Sequence, residues 1–321
     1  FGLQDSAAGE ALRRKDADAE LLLDIAGEGR LAAARAAVCG FKPSYGLVSR
    51  FGLVGLVPSM ESCAVLSDRI GTIRDILKAV AGPDERDFSL PDEEPPDFSA
   101  GSIDPRKIPL GVPAETHGLL SDAQEALFRD AVGGLKKAGF PIREVSLPDS
   151  ALFLLVHRIA GSVEASSCAG RYDSVRYGRR SPGARNWNDM YLSSRGAAFG
   201  PLLKSYLLQG AFFQFERYGA YEDACRIRAR LVADMQRLAG ESDFLVLPAA
   251  DAAARAPASL ADLYGGFALT AFANVTGQPA LYLPPAGDGT AGFQLAGPRR
   301  SDARLLALGE HLLNLRRGGN A

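Results

Sequence analysis

Hydrophobic and polar positions along the chain predict alternating strands and helices. An apolar run at 108–112 is followed by a helical pattern over 122–138 and by a second strand-like run at 141–145. A strand, a helix and a strand in this order are typical of a βαβ unit with parallel strands. The pattern therefore predicts an α/β fold around a mainly parallel sheet.

The N-terminal third carries weaker signals. Residues 17–38 are rich in Ala and Leu and are interrupted by Gly27 and Gly29, which predicts a helix, a turn and a second helix. β-Branched and aromatic residues at 48–54 predict short strands separated by glycines. Apolar residues spaced along one face predict a further helix that ends before Gly82.

The rest of the chain extends the same alternation. Further helices are predicted from Leu152 onward, over 218–238 and over 302–315, and further strands at 244–247, 281–283 and 292–295. Residues 83–105 contain eight acidic residues and five prolines, so we expect an exposed crossover there. No internal repeat is evident, and residues 1–321 are interpreted as a single α/β domain.

Composition and charge narrow the class of protein. The 321 residues are 47% hydrophobic and 23% charged, and the formal net charge is -2, which argues against a surface built for nucleic acid or anionic lipid. The longest apolar runs, such as 152–156, are far shorter than the roughly 20 residues of a membrane helix. With no secretory signal visible, the expected location is cytoplasmic.

The cysteines and histidines offer little for a metal or a disulfide. The four cysteines contain no C-x-x-C pair, and the three histidines are scattered along the chain. We therefore expect no metal site, no disulfide framework and no cofactor. A Ser-His-Asp enzyme is also disfavoured, because nothing local would orient the histidine base.

Three long segments carry a family resemblance. They are GFKPSYGLVSRFGLV at 40–54, EASSCAGRYDSVRYG at 164–178 and ANVTGQPA at 273–280. They resemble the amidase-signature family, and within it the glutamine-hydrolysing subunits of tRNA-dependent amidotransferases. The resemblance implies an α/β fold with a mixed, mostly parallel central sheet wrapped by helices. It also implies amide hydrolysis by a Ser nucleophile, a second Ser with a cis peptide bond, and a Lys.

The resemblance also locates the expected catalytic positions. The family sequence around the nucleophile is T-D-x-G-G-S-I-R, and a gapless count back from Gly40 places LDIAGEGR at 23–30 on it, with Glu28 at the nucleophile. The oxyanion-hole N–H groups would then come from the backbone of Ile25, Ala26, Gly27 and Glu28 itself. Ser6 is the candidate remnant of the bridging Ser, and the catalytic Lys is expected before Phe1, where the chain starts without a Met.

A carboxylate at position 28 predicts failure of the ordinary chemistry, because it accepts hydrogen bonds where a proton-relayed hydroxyl is required. Two orientations are open. The Glu28 carboxylate either folds back onto the backbone N–H donors or Arg30 and plugs the site, or it points to solvent from a helix start.

The substrate pocket departs from the family as well. The family holds the ends of its amino-acid substrate with an Arg and an Asp, and the matching stretches here are KSYL at 204–207 and GFAL at 266–269. Ser205, Tyr206 and Phe267 therefore mark positions where charged contacts are lost.

Two functions remain open. The first is a non-catalytic member that keeps a ligand-binding or assembly role, with a small amide or amino-acid ligand and a companion subunit or a second copy as partner. The alternative is an active amidase or amidotransferase subunit that uses residues outside this sequence. Direct nucleic-acid binding is not expected, since the arginine-rich stretch at 171–185 largely matches the family.

Overall fold

A computed structural model describes residues 8–99, 101–115, 120–249, 259–285 and 291–318. Within these ranges, eight strands form one sheet in the order β1-β3-β2-β7-β8-β6-β4-β5. The strands are β1 (Glu20–Asp24), β2 (Cys39–Lys42), β3 (Ser62–Ser67), β4 (Leu110–Pro113), β5 (Ile142–Val145), β6 (Phe244–Pro248), β7 (Ala280–Leu283) and β8 (Phe293–Ala296).

The described residues also form eleven helices. They are α1 (Glu10–Arg14), α2 (Glu28–Ala36), α3 (Ile70–Val80), α4 (Asp122–Lys137), α5 (Leu152–Cys168), α6 (Trp187–Ala198), α7 (Pro201–Phe215), α8 (Tyr218–Glu241), α9 (Leu260–Gly265), α10 (Ala271–Thr276) and α11 (Asp302–Gly318). The mixed α/β class predicted from the sequence is confirmed. None of the helices in the described ranges has the length and apolar character needed to cross a membrane.

The prediction of a mostly parallel sheet is wrong. Among the described residues, β4 pairs in parallel with β5 and with β6, whereas the other five strand pairings are antiparallel. The βαβ pattern at 108–145 was correctly assigned to parallel strands, but it describes only one end of the sheet. Strands brought together from distant parts of the chain need no helical crossover, and their directions are not encoded by local periodicity.

Two local predictions in the N-terminal part are also wrong. Part of the first predicted helix is the strand β1, which lies at the sheet edge and pairs antiparallel with β3. Pairing with β3 overrides the helix propensity of the leucines, which is a weak preference of each residue. Residues 48–54 form no strand; Val48 makes only an isolated bridge to Ala81.

The sheet is covered on both faces. Alternate residues of β6 belong to different cores, since Leu245 and Leu247 pack with α5, α7 and α8 while Phe244 and Val246 pack with α3, α4 and α11. Because successive side chains of a strand point to opposite faces, these are two helical layers around a central sheet. The candidate site lies in the first layer, where β1 leads into α2.

Candidate active site

A tight turn joins β1 to α2 and holds the position that resembles the family nucleophile. Gly27 has a φ of 114°, and a Cβ built on it would lie 2.2 Å from the Cβ of Thr270. The Thr270 hydroxyl donates a 2.7 Å hydrogen bond to the carbonyl oxygen of Ala26. The turn therefore requires glycine at position 27 for both its backbone conformation and its close packing.

The Glu28 carboxylate folds back onto this turn. Its Oε2 accepts hydrogen bonds from the backbone N–H of Ile25 at 2.7 Å and of Ala26 at 2.8 Å. The side chain is only partly buried, yet it has the first of the two orientations considered from the sequence and does not extend into solvent. Two backbone donors converging on one oxygen form an anion-binding arrangement of the kind that stabilises an oxyanion.

The environment of Glu28 opposes its ionisation. Burial and the nearby Asp24 carboxylate raise the pKa of Glu28 from 4.5 to about 7, against the lowering effect of the backbone N–H donors. Desolvation and a like charge both disfavour the carboxylate form, whereas hydrogen bonds to its oxygen favour it. Glu28 therefore titrates near neutral pH.

A buried network of hydrogen bonds holds the turn and the start of α2 in place. Asp24 accepts hydrogen bonds from the backbone N–H of Gly29 at 3.0 Å and from the Asn274 side-chain amide at 2.7 Å. Arg30 donates to the side-chain oxygens of Asn274 and Gln294, each at 2.9 Å, and its guanidinium lies 4.0 Å from the Asp24 carboxylate. All four of these side chains are buried, so the network fixes the start of α2 rigidly.

His157 is a site residue that the sequence reasoning missed. Its Nε2 lies 2.9 Å from the carbonyl oxygen of Ile25, and its Nδ1 lies 3.1 Å from the hydroxyl of Tyr206. A carbonyl oxygen can only accept, so Nε2 carries the proton and Tyr206 donates to Nδ1. Burial lowers the pKa of His157 to about 4, which keeps the ring neutral at physiological pH. No motif marks this histidine, because it lies in a helix of ordinary apolar pattern.

Several of the predicted positions meet around a small cavity. Ile25, Ala26, Glu28, Tyr206 and Phe267 line it together with His157 and apolar side chains, and its volume is about 20 Å³. This volume holds about one water molecule. The structure therefore brings the turn together with Tyr206 and Phe267, two of the positions of the lost charged contacts.

The predicted residue Ser205 does not line this cavity. The Ser205 hydroxyl is 2.8 Å from the Tyr264 hydroxyl, and it also donates to the Leu202 carbonyl oxygen within α7. Ser6 lies outside the described residues.

Lys42 is a buried lysine whose ammonium group is hydrogen-bonded to the backbone of the next residue. Its Nζ donates a 2.6 Å hydrogen bond to the carbonyl oxygen of Pro43, and burial lowers its pKa to about 7. In the described part of the chain, no group of three or more His, Cys, Asp or Glu side chains is arranged to hold a metal ion.

Comparison with known sequences finds relatives among the A subunits of glutamyl-tRNA(Gln) amidotransferases. The protein of Lactobacillus gasseri is 33% identical over 305 residues, which cover 90% of this chain and 62% of that protein. The protein of Natronomonas pharaonis is 32% identical over 326 residues, covering 97% of this chain and 76% of that protein. The chain thus spans less than two thirds of the length of the first of these relatives.

Comparison with solved structures supports the same fold. The crystal structure of the A subunit of the Thermotoga maritima glutamyl-tRNA(Gln) amidotransferase superposes with a TM-score of 0.75 at 20% identity, covering 94% of this chain and 63% of that one. A 6-aminohexanoate cyclic dimer hydrolase superposes with a TM-score of 0.73 at 18% identity, covering 95% and 66%. The Amidase family itself matches residues 23–306. The resemblance carried by the three segments is thereby confirmed, and the chain belongs to the amidase-signature family.

Proposed function

We propose that this chain is an amidase-signature protein that does not hydrolyse amides by the serine chemistry of its family and that acts through assembly with a partner. The single observation that carries the proposal is that the carboxylate of Glu28, the residue that the resemblance aligns with the family nucleophile, accepts hydrogen bonds from the N–H groups of Ile25 and Ala26. One residue thus removes both the attacking hydroxyl and the free oxyanion donors.

The distances support this occupation. Oxyanion-hole donors act when they lie about 2.7–3.1 Å from the developing negative oxygen. The Glu28 Oε2 lies 2.7 Å and 2.8 Å from the two backbone nitrogens, which is where such an oxygen would have to be. A tetrahedral intermediate could form at this turn only after the carboxylate had left.

The charge of Glu28 adds a second obstacle. Above its pKa of about 7 the carboxylate is negative, and a negative oxyanion next to it would be repelled. Below that pKa the protonated acid still fills the same space and still offers an acceptor oxygen. Neither protonation state restores a hydroxyl nucleophile.

The cavity favours an assembly role over ligand binding at this position. The cavity beside Glu28 has a volume of about 20 Å³, which is the space of about one water molecule and less than the small amide or amino acid suggested by the family resemblance would fill. The relatives from Lactobacillus gasseri and Natronomonas pharaonis are named as the A subunit of an amidotransferase, which implies companion subunits for them. We extend that subunit role to this chain, as a cytoplasmic protein with a protein partner.

The alternative is an active amidase or amidotransferase subunit that releases ammonia from glutamine with residues outside these 321. It is supported by the family membership and by the names of the relatives. In that case, a serine supplied from elsewhere in the protein would have to reach a different oxyanion site.

A hydrolysis assay separates the two functions. Ammonia release from glutamine and product release from an aryl amide would be measured for the unmodified protein and for Glu28→Ser, with Glu28→Gln as a variant that keeps the size of the side chain. We expect no turnover above the buffer rate for the unmodified chain and for Glu28→Gln. Robust turnover by the unmodified chain would establish the alternative.

A further inference from the structure

The helix α7 carries an apolar stripe on its outer face. Leu208, Phe212 and Phe215 are 75%, 48% and 80% exposed, and they follow one another at the i, i+4, i+7 spacing of a helix face. We refer to these three residues as the α7 stripe. A helix that is hydrophobic on every side is normally buried, so a stripe of this exposure indicates a surface for a partner.

The inner side of α7 is already occupied. Leu202, Tyr206 and Gly210 are buried, and a Cβ built on Gly210 would lie 2.0 Å from the carbonyl oxygen of Ser162 in α5. This close approach fixes the rotation of α7 about its axis. The α7 stripe is therefore held outward by the packing of α7 on α5, and it cannot turn into the core.

The charged residues near the two ends of α7 point to a second copy of this chain as the partner. Lys204 and Glu216 are the charged residues of α7 and its C-cap, Arg217 follows them in the turn to α8, and all three are exposed. Lys204 and Glu216 lie equally far along the sequence on either side of Gly210, as do Leu208 and Phe212. Two α7 helices can pair antiparallel about a two-fold axis that crosses them at the level of Gly210. In this arrangement, Leu208 of one copy lies level with Phe212 of the second copy.

The same symmetry brings the charged ends together. Lys204 of one copy lies at the same end of the helix pair as Glu216 of the second copy, and the reverse holds at the other end. Lys204 now donates a 2.8 Å hydrogen bond to the carbonyl oxygen of Gly196, and its ammonium group has further donors for a carboxylate. A surface that is complementary to itself in both apolar and charged positions is what a two-fold dimer requires.

We propose that the α7 stripe is the contact surface of a homodimer in which two α7 helices pair antiparallel about Gly210. The proposal rests on the assembly role proposed for this chain, specifies its partner, and is independent of the chemistry at Glu28. A failed dimer test would leave the hydrolysis result intact, and the reverse also holds.

Sedimentation velocity over a wide range of micromolar concentrations tests the proposal. We expect a reversible dimer for the unmodified protein, and a dissociation constant at least about 30-fold higher for Leu208→Glu and for Phe215→Glu, which bring a charge into the contact. Phe88→Glu is the matched control, because Phe88 is 97% exposed in the segment at 83–105 and lies outside the contact. Circular dichroism would verify that each variant is folded.

Charge reversal tests the antiparallel arrangement. Lys204→Glu and Glu216→Lys should each weaken the dimer, because each places like charges at both ends of the helix pair, and the double variant K204E/E216K should restore it. A protein that is monomeric at every concentration would overturn the proposal and assign the stripe to another partner. A dimer that is insensitive to Leu208→Glu and Phe215→Glu, or a double variant no tighter than the single ones, would overturn it as well.

Discussion

The Glu28 carboxylate oxygen lies 2.8 Å from the backbone nitrogen of Ala26 and accepts a second hydrogen bond from the N–H of Ile25. In a serine amidase, donors of this kind face the oxygen of the substrate. Here the protein supplies a carboxyl oxygen from its own chain, two residues after Ala26. On the proposed function, this turn is an oxyanion site that one short segment both forms and occupies.

Glu28 should make stability depend on pH between about 4.5 and 7. Its folded-state pKa of about 7 is raised above the ordinary value of 4.5, so the favourable contribution is complete below 4.5 and is lost as the pH rises through 7. The full effect is about 3 kcal/mol. Denaturant unfolding of the unmodified protein and of Glu28→Gln at several pH values measures it, and Glu28→Gln should lack this decline. If the unfolding free energies of the two proteins changed equally with pH, the assignment of the raised pKa to Glu28 would be contradicted.

His157 should act in the opposite direction. Its folded-state pKa of about 4 is lowered from 6.5, so its contribution is complete above 6.5 and is lost as the pH falls through 4, by about 3 kcal/mol in all. The difference in unfolding free energy between the unmodified protein and His157→Gln should therefore become smaller as the pH falls from 6.5 to 4. Tyr206→Phe is the control, since it removes one hydrogen bond worth about 1 kcal/mol and keeps most of the slope.

Arg30 should be essential for the stability of the turn. Arg30→Ala leaves the Asp24 carboxylate buried without its cation and leaves acceptor oxygens of Asn274 and Gln294 unpaired, for an expected loss of about 3–5 kcal/mol. Arg86→Ala is the matched control, because it removes an exposed ion pair with Asp84 and should cost less than about 1 kcal/mol. Thermal and denaturant unfolding measure both losses, and equal losses would contradict the role of the network.

Gly27 should tolerate no side chain. Gly27→Ala combines a left-handed backbone with a collision against Thr270, whereas Gly52→Ala has a similar φ of 89° and no atom within 4 Å of the added carbon. Gly52→Ala should therefore cost about 1 kcal/mol, from backbone strain alone, and Gly27→Ala at least about 3 kcal/mol. Denaturant unfolding of the two variants separates the strain from the collision. Equal costs would show that the packing against Thr270 is not restrictive.

The helix α4 and the two parallel strands beside it could be predicted from the spacing of apolar residues, because local sequence determines them. The helix α4 begins after Ser121, whose side chain forms a capping box with Gln124, and its apolar residues Phe128, Ala131 and Leu135 pack on one face. The parallel strands on either side of this helix were predicted correctly from the same spacing. By contrast, the direction of the other strands depends on which distant segments meet, and residues 20–24 form a strand because β3 pairs with them.

The candidate site was only partly accessible from the sequence. The alignment with the family located Glu28 and the turn, and it also singled out Tyr206 and Phe267, which the fold brings to the same cavity. His157 and Gln294 belong to no motif. His157 is 132 residues from Ile25 along the chain, and Gln294 is 264 residues from Arg30. Side chains recruited over such separations leave no periodic signal, so only the folded chain reveals them.

The contact between Glu28 and the turn can be observed directly by nuclear magnetic resonance. The amide resonances of Ile25 and Ala26 would be followed over a pH titration of the unmodified protein and of Glu28→Gln. We predict that both resonances shift together with an apparent pKa near 7 and that the shift is absent in Glu28→Gln. If the amide resonances of Ile25 and Ala26 changed neither with pH nor with the substitution, the occupation of the oxyanion site by Glu28 would be contradicted.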